Sequence, residues 1–166
     1  MELVSDELLS ASLEALLSCG CWVNRVLDSN SFLCKVILLG ASDQLAASIP
    51  AKRRDKVIAF NETSFLSEAT WRGFLNTHAP HPVYLSIDKD VLASSQVLTN
   101  WDQGHFTLKT LNRLLRILAS SNQIIGADIC GECPASVQTI LDSSVLDQDD
   151  RVNSALLKVL EQPGLF

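Results

Sequence analysis

The sequence predicts an α/β fold: a mainly parallel sheet with flanking helices. Two observations carry this expectation. Four short apolar runs, Val36–Gly40, Val57–Phe60, Pro82–Leu92 and Ile124–Ile129, read as strands. The segments between them carry helical spacing, and strands alternating with helices build βαβ units.

Taken in order, Ser5 to Leu17 suits a helix, with Leu9, Leu13, Leu16 and Leu17 on one face and Ser5, Asp6 and Glu7 where the helix dipole favours a cap and acids. A second short helix through Val23, Val26 and Leu27 ends near Asp28–Ser31. Val36–Gly40 is a continuous apolar run closed by glycine, as a buried parallel strand requires. Ala41 to Ile49 forms a short helix before Pro50, and Val57–Phe60 a second strand. Ser64 to Leu75 reads as helix and Thr77–Pro82 as a loop. Pro82–Leu92 is the third strand, opened by a proline where a missing N–H does least harm. Ala93 to Gly104 is irregular. Thr107 then caps an amphipathic helix carrying Leu108, Leu111, Leu114, Leu115 and Leu118, which Asn122 ends. Ile124–Ile129 is the fourth strand. A last helix runs from about Asp150 to Leu160 on Val152, Ala155, Leu156, Val159 and Leu160.

At 166 residues, with no repeat or linker, the chain is expected to form a single domain over residues 1–166. Hydrophobic residues make up 47% and charged residues 19%, an ordinary globular balance. The formal charge of −6 excludes a nucleic-acid backbone as the main partner. No window reaches the length of a membrane span and no secretory leader opens the chain. Five cysteines without even spacing fit a reducing compartment, so a cytoplasmic location is expected.

The third strand carries the chemistry. Alternation puts Val83, Leu85 and Ile87 on one face and Tyr84, Ser86, Asp88 and Asp90 on the other. Two carboxylates that close raise each other's pKa unless a cation or donors lie between them. A hard divalent metal is one answer. Acids fanning into solvent at a strand-to-loop junction are the other. In a parallel sheet, ligands bind beyond the carboxyl ends of strands, where Asp88 and Asp90, and Asp128 and Glu132, all stand. These acids converge if the two strands are neighbours.

Ser86-Ile87-Asp88-Lys89-Asp90-Val91-Leu92 resembles the S-x-D-x-D-x-L signature of the arginase, agmatinase and histone-deacetylase-like superfamily. Thr99-Asn100-Trp101-Asp102-Gln103-Gly104, Phe106-Thr107-Leu108 and Ile125–Glu132 follow in the order seen in an arginase-like branch that includes the peptide arginases. The resemblance covers about Pro82 to Glu132. It implies an arginase/deacetylase-like three-layer fold and a manganese-dependent hydrolase of a guanidino group, converting arginine, including arginine within peptides, to ornithine and urea. It implies metal roles for Asp88 and Asp90, a catalytic, guanidinium-holding role for Glu132, and substrate contacts for Asn100 and Asp102. By position rather than by resemblance, Asp128 at its strand end and His105 on the loop after the acid pair are further substrate-contact candidates, His105 being otherwise an exposed side chain before a helix cap. Glu132 lies one residue further from Asp128 than the usual spacing. The superfamily's remaining ligands, a D-x-H-x-D motif and a separate histidine, lie upstream of the acid strand, and this chain has neither. The resemblance thus implies the carboxyl-terminal portion of the family fold, amino-terminally shortened, with hydrolysis impaired. The alternative is a metal-free remnant or partner-binding module. A second copy or a completing chain is an expected partner.

Cys19-x-Cys21 and Cys130-x-x-Cys133 offer a four-thiolate zinc site or a redox pair as further readings, beside the plain reading of buried thiols. His78 and His81 flank Pro80 as ordinary loop histidines.

Overall fold

A computed structural model describes residues 22–61, 67–133 and 143–161. The expected first helix, Cys19 and Cys21 lie outside them, as does Pro134. The chain divides into two compact units, Met1–Val36 and Ile37–Phe166. In the first, helix α1 (Trp22–Ser29) ends as the Ser29 hydroxyl donates to Arg25 O at 2.8 Å. Asn30 Oδ1 then accepts from Phe32 N at 2.9 Å, an Asx turn that redirects the chain.

The second unit holds the candidate site and the strands from Ile37 onward. Strand β1 (Val36–Leu39) pairs with β2 (Val57–Phe60), and α2 (Asp43–Ser48) lies between them in sequence. Helix α3 (Glu68–His78) starts where Ser67 accepts from Thr70 N, and Glu68 pairs with Arg72 at 2.8 Å one turn on. It continues past Leu75 into the segment expected as loop, stopping at Ala79 ahead of Pro80.

Strand β3 (Val83–Asp88) and strand β4 (Ile124–Cys130) form a parallel pair. The expected parallel α/β arrangement is present, with the four strands hydrogen-bonded as two pairs. Between β3 and β4 runs helix α4 (Leu108–Ser121), capped by Thr107 and closed at Asn122 as its sequence foretells. Helix α5 (Ser143–Leu160) follows β4. It begins seven residues before Asp150; the only apolar residues ahead of that point, Val145 and Leu146, are adjacent rather than a turn apart and so form no stripe for periodicity to detect.

The inward residues Val83, Leu85 and Ile87 of β3, with Ala127 and Ile129 of β4, pack on a core supplied by α3, α4 and α5. Trp71, Leu75, Leu114, Leu118, Leu156 and Val159 are its buried centre. Trp71 stacks on Phe74 with centroids 5.5 Å apart, and its ring nitrogen donates to Leu114 O. Tyr84, Ser86 and Asp88 point to the other, exposed face, as alternation requires.

The strand expected through Leu92 ends at Asp88. Asp88 Oδ1 accepts from Asp90 N at 3.0 Å, and residues Lys89–Val91 close into a 3-10 turn, with Leu92 N donating to Lys89 O. A short side chain that bonds the backbone two residues on competes with the ladder and ends it.

Candidate functional site

Asp88 and Asp90 reach the same end of the sheet through that turn, not through strand alternation. Asp88 stays exposed, whereas Asp90 is half-buried. Asp90 Oδ1 is enclosed without a hydrogen-bond partner. Burial raises the Asp90 carboxyl above its ordinary range; the Thr99 hydroxyl opposes this and the Asp88 charge adds to it.

Adjacent β4 brings further acid. Asp128 stands opposite Ser86 and accepts from its hydroxyl at 3.0 Å, and Cys130 stands opposite Asp88. Asp128, by hydrogen bond and charge, also raises the Tyr84 phenol. The Cys130 thiol is pushed up to about 11, first by burial and then by the charges of Asp88, Asp128 and Asp90. A thiol so raised is a poor thiolate, which counts against the redox reading of Cys130 and Cys133.

Gly131 makes the approach of β4 to β3 possible. Its φ is +85°, and a Cβ there would lie 2.7 Å from Asp88 Oδ1 and 2.9 Å from Lys89 N. Gly104 plays the same part on the other side, where a Cβ would meet Val91 O at 2.5 Å.

The loop 93–106 folds back onto the acid turn. Gly104 N donates to Asp90 O at 2.7 Å and Phe106 N to Val91 O at 3.1 Å. The Gln103 amide donates to Leu92 O and Val97 O, closing the loop from within. Asn100, Asp102 and His105 are exposed on it, with Trp101 61% exposed beside them. The structure therefore gathers Asp88, Asp90 and Asp128 at one sheet end, with Asn100, Asp102 and His105 on the loop anchored there.

Glu132 is engaged by a buried lysine. Lys89, fully buried, donates from Nζ to Glu132 Oε1 at 2.7 Å, to Asp149 Oδ1, and to Asn153 Oδ1 at 3.1 Å. Asn153 Nδ2 also donates to Glu132 at 3.2 Å. One ammonium faces two carboxylates. Hydrogen bonding from Asp149, then Lys89 and Asn153, holds Glu132 down to about 2, while burial and Glu132 raise Asp149. Lys89 was missed from the sequence, although it shares the inward parity of Val83, Leu85 and Ile87. Asp149 and Asn153 lie one helical turn apart, beside the buried Val152 and Leu156.

This cluster gives a pH prediction. Glu132's folded pKa lies below its ordinary 4.5, so its stabilisation is complete above that pH and is lost as pH falls toward 2. Glu132→Gln is expected to flatten the acid decline in unfolding free energy across that window, measured by urea titration. An unchanged slope would contradict the pairing.

A superfamily resemblance implies manganese here, and the donor set meets part of that requirement. A buried carboxylate oxygen without a partner, with the Asp88 carboxylate beside it, suits a hard cation in part. Among the described residues, however, no group of three or more His, Cys, Asp or Glu side chains is arranged to hold a metal ion. Asp88 and Asp90 supply part of a coordination shell.

Comparison with solved structures gives the class of fold. The crystal structure of a hypothetical agmatinase from Burkholderia thailandensis superposes with a TM-score of 0.54 at 18% identity, over 85% of this chain and 44% of that one. The fold is agmatinase-like. An uncharacterized protein of Thermotoga maritima is 32% identical over 157 residues, 95% of this chain. The chain spans 56% of that relative's length. No family model matches the chain. No described helix is long and apolar enough to cross a membrane.

Proposed function

We propose that this chain carries part of a ureohydrolase-type site, in which Asp88 and Asp90 bind manganese and a guanidino group is hydrolysed. The observation that carries the reading is the enclosed, unpartnered Asp90 oxygen beside Asp88 at the carboxyl end of a parallel strand pair. Manganese, when bound, supplies Lewis-acid activation of water at neutral pH. Asp128, Asp102, Asn100 and His105 face the positively charged guanidino substrate, free or within a peptide. Glu132, fixed by Lys89 and Asn153, keeps a side chain 55% exposed for the same cation. The remaining ligands come from a completing chain.

Equilibrium dialysis against manganese tests this. Wild-type chain is expected to retain the ion, and Asp88→Ala and Asp90→Ala to lose it. Equal manganese in all three would remove the proposal.

A second reading is favoured by one observation. Lys89 already neutralises Glu132, and the outer face of β3 and β4 is open, with Tyr84 57% and Ile125 61% exposed. A metal-free, partner-binding module would keep this fold while binding no manganese, and would form a stable complex by light scattering.

A further inference from the structure

We infer that Asn153 is a positioning residue that makes Glu132 select a planar guanidinium over a simple ammonium. The inference rests on the reading of Glu132 as a holder of the guanidino substrate, and it needs no metal at Asp88 or Asp90.

Three hydrogen bonds among three side chains carry it. Lys89 Nζ donates to Glu132 Oε1 at 2.7 Å and to Asn153 Oδ1 at 3.1 Å, and Asn153 Nδ2 donates to the same Glu132 oxygen at 3.2 Å. An ammonium only donates and an ionised carboxylate only accepts, so a side chain that bridges them needs both an acceptor and a donor. An amide has both, and the bridge fixes its orientation, with oxygen toward Lys89 and nitrogen toward Glu132. Asn153 follows Asp149 by one turn of helix α5, and Asp149 takes a further bond from Lys89, so the brace is mounted on one helix face. Lys89 is fully buried, which leaves its ammonium no water to turn to.

The brace leaves over a charge and a direction. One ammonium faces two carboxylates, so with both acids ionised the cluster keeps one net negative charge. Asp149 is 13% exposed and Glu132 55%, which puts that surplus within reach of a solute at Glu132. Two donors on Oε1, one from the acid turn and one from helix α5, restrain the rotation of this carboxylate. Orientation matters unequally to cations. A guanidinium presents its N–H groups in a rigid planar fork, whereas an ammonium is a compact point charge with rotatable donors that accepts any heading. A held carboxylate therefore favours the fork, and a freely turning one binds both by charge alone.

N-acetyl-arginine amide and N-acetyl-lysine amide, titrated separately into isotope-labelled chain at neutral pH and followed on the Glu132 carboxyl resonance, test this. Wild type is expected to bind the arginine probe on the order of 10-fold more tightly than the lysine probe, the scale of one charged hydrogen bond. Asn153→Leu removes both bonds at similar volume. Asn153→Asp keeps an acceptor for Lys89 and loses the N–H. Both are expected to bring the ratio of the two affinities to about 1. A merely structural role would not move this ratio, because loosening helix α5 weakens both probes alike. Should Asn153→Leu fail to fold, Asn153→Asp decides, since Lys89 keeps an acceptor at every partner.

A preference retained in Asn153→Asp, with both probes lost in Glu132→Gln, would overturn the inference and leave Glu132 as the substrate holder. Equal affinities in wild type, again lost in Glu132→Gln, would do the same. Binding unchanged in Glu132→Gln, or no binding of either probe by wild type, would overturn the reading of Glu132 and the inference with it.

Discussion

Lys89→Met is expected to destabilise the protein by about 3–5 kcal/mol, the usual cost of removing one partner from a buried ion cluster. Lys89 is fully buried and bonds Glu132, Asp149 and Asn153. Asp149 is only 13% exposed, so methionine would leave its carboxylate beside Glu132 with no cation and little water. Equilibrium urea unfolding at neutral pH measures the loss. Part of it is expected to return below about pH 4, where the two acids take up protons. A loss under 1 kcal/mol at neutral pH would mean that the cluster does not hold helix α5.

Leu156→Ala is expected to cost about 2–5 kcal/mol, since a leucine removed from a closed core leaves a cavity that the neighbours fill only in part. Leu156 has no exposure and lies three residues beyond Asn153 on the same helix. It is the apolar half of the attachment that Lys89 makes through polar groups. The two substitutions combined are expected to fall short of additivity, because either one loosens the same helix. Strict additivity in urea unfolding would show two independent anchors.

Some of this was written openly in the chain. Val57–Phe60 is strand at both expected ends, and Thr107 and Asn122 bound their helix as capping chemistry requires. The inward and outward faces of β3 follow its alternation. Motif order around Asp88 and Asp90 anticipated an agmatinase-like fold, and the structural likeness shows that fold. Other features depend on distant partners. Burial of Lys89 needs Glu132 and Asp149, 43 and 60 residues away in sequence. Its parity alone gave a signal, but a lysine at an inward position means little until its counter-ions are located. The loop 93–106 is held at the acid turn by Gly104 N on Asp90 O and Phe106 N on Val91 O, a pairing that local sequence does not reveal. The turn itself replaced three residues of expected strand, because local propensity does not reveal that Asp88 will bond its own backbone.

Whether the acids of this sheet end bind a cation can be read residue by residue from paramagnetic line broadening. With substoichiometric manganese added to isotope-labelled protein, the amides of Asp88, Lys89, Asp90 and Asn100 are expected to broaden first. That broadening should disappear in Asp90→Asn. Broadening spread instead over acidic helix α5, around Asp147 and Asp150, and unchanged in Asp90→Asn, would contradict the assignment of these acids to a metal.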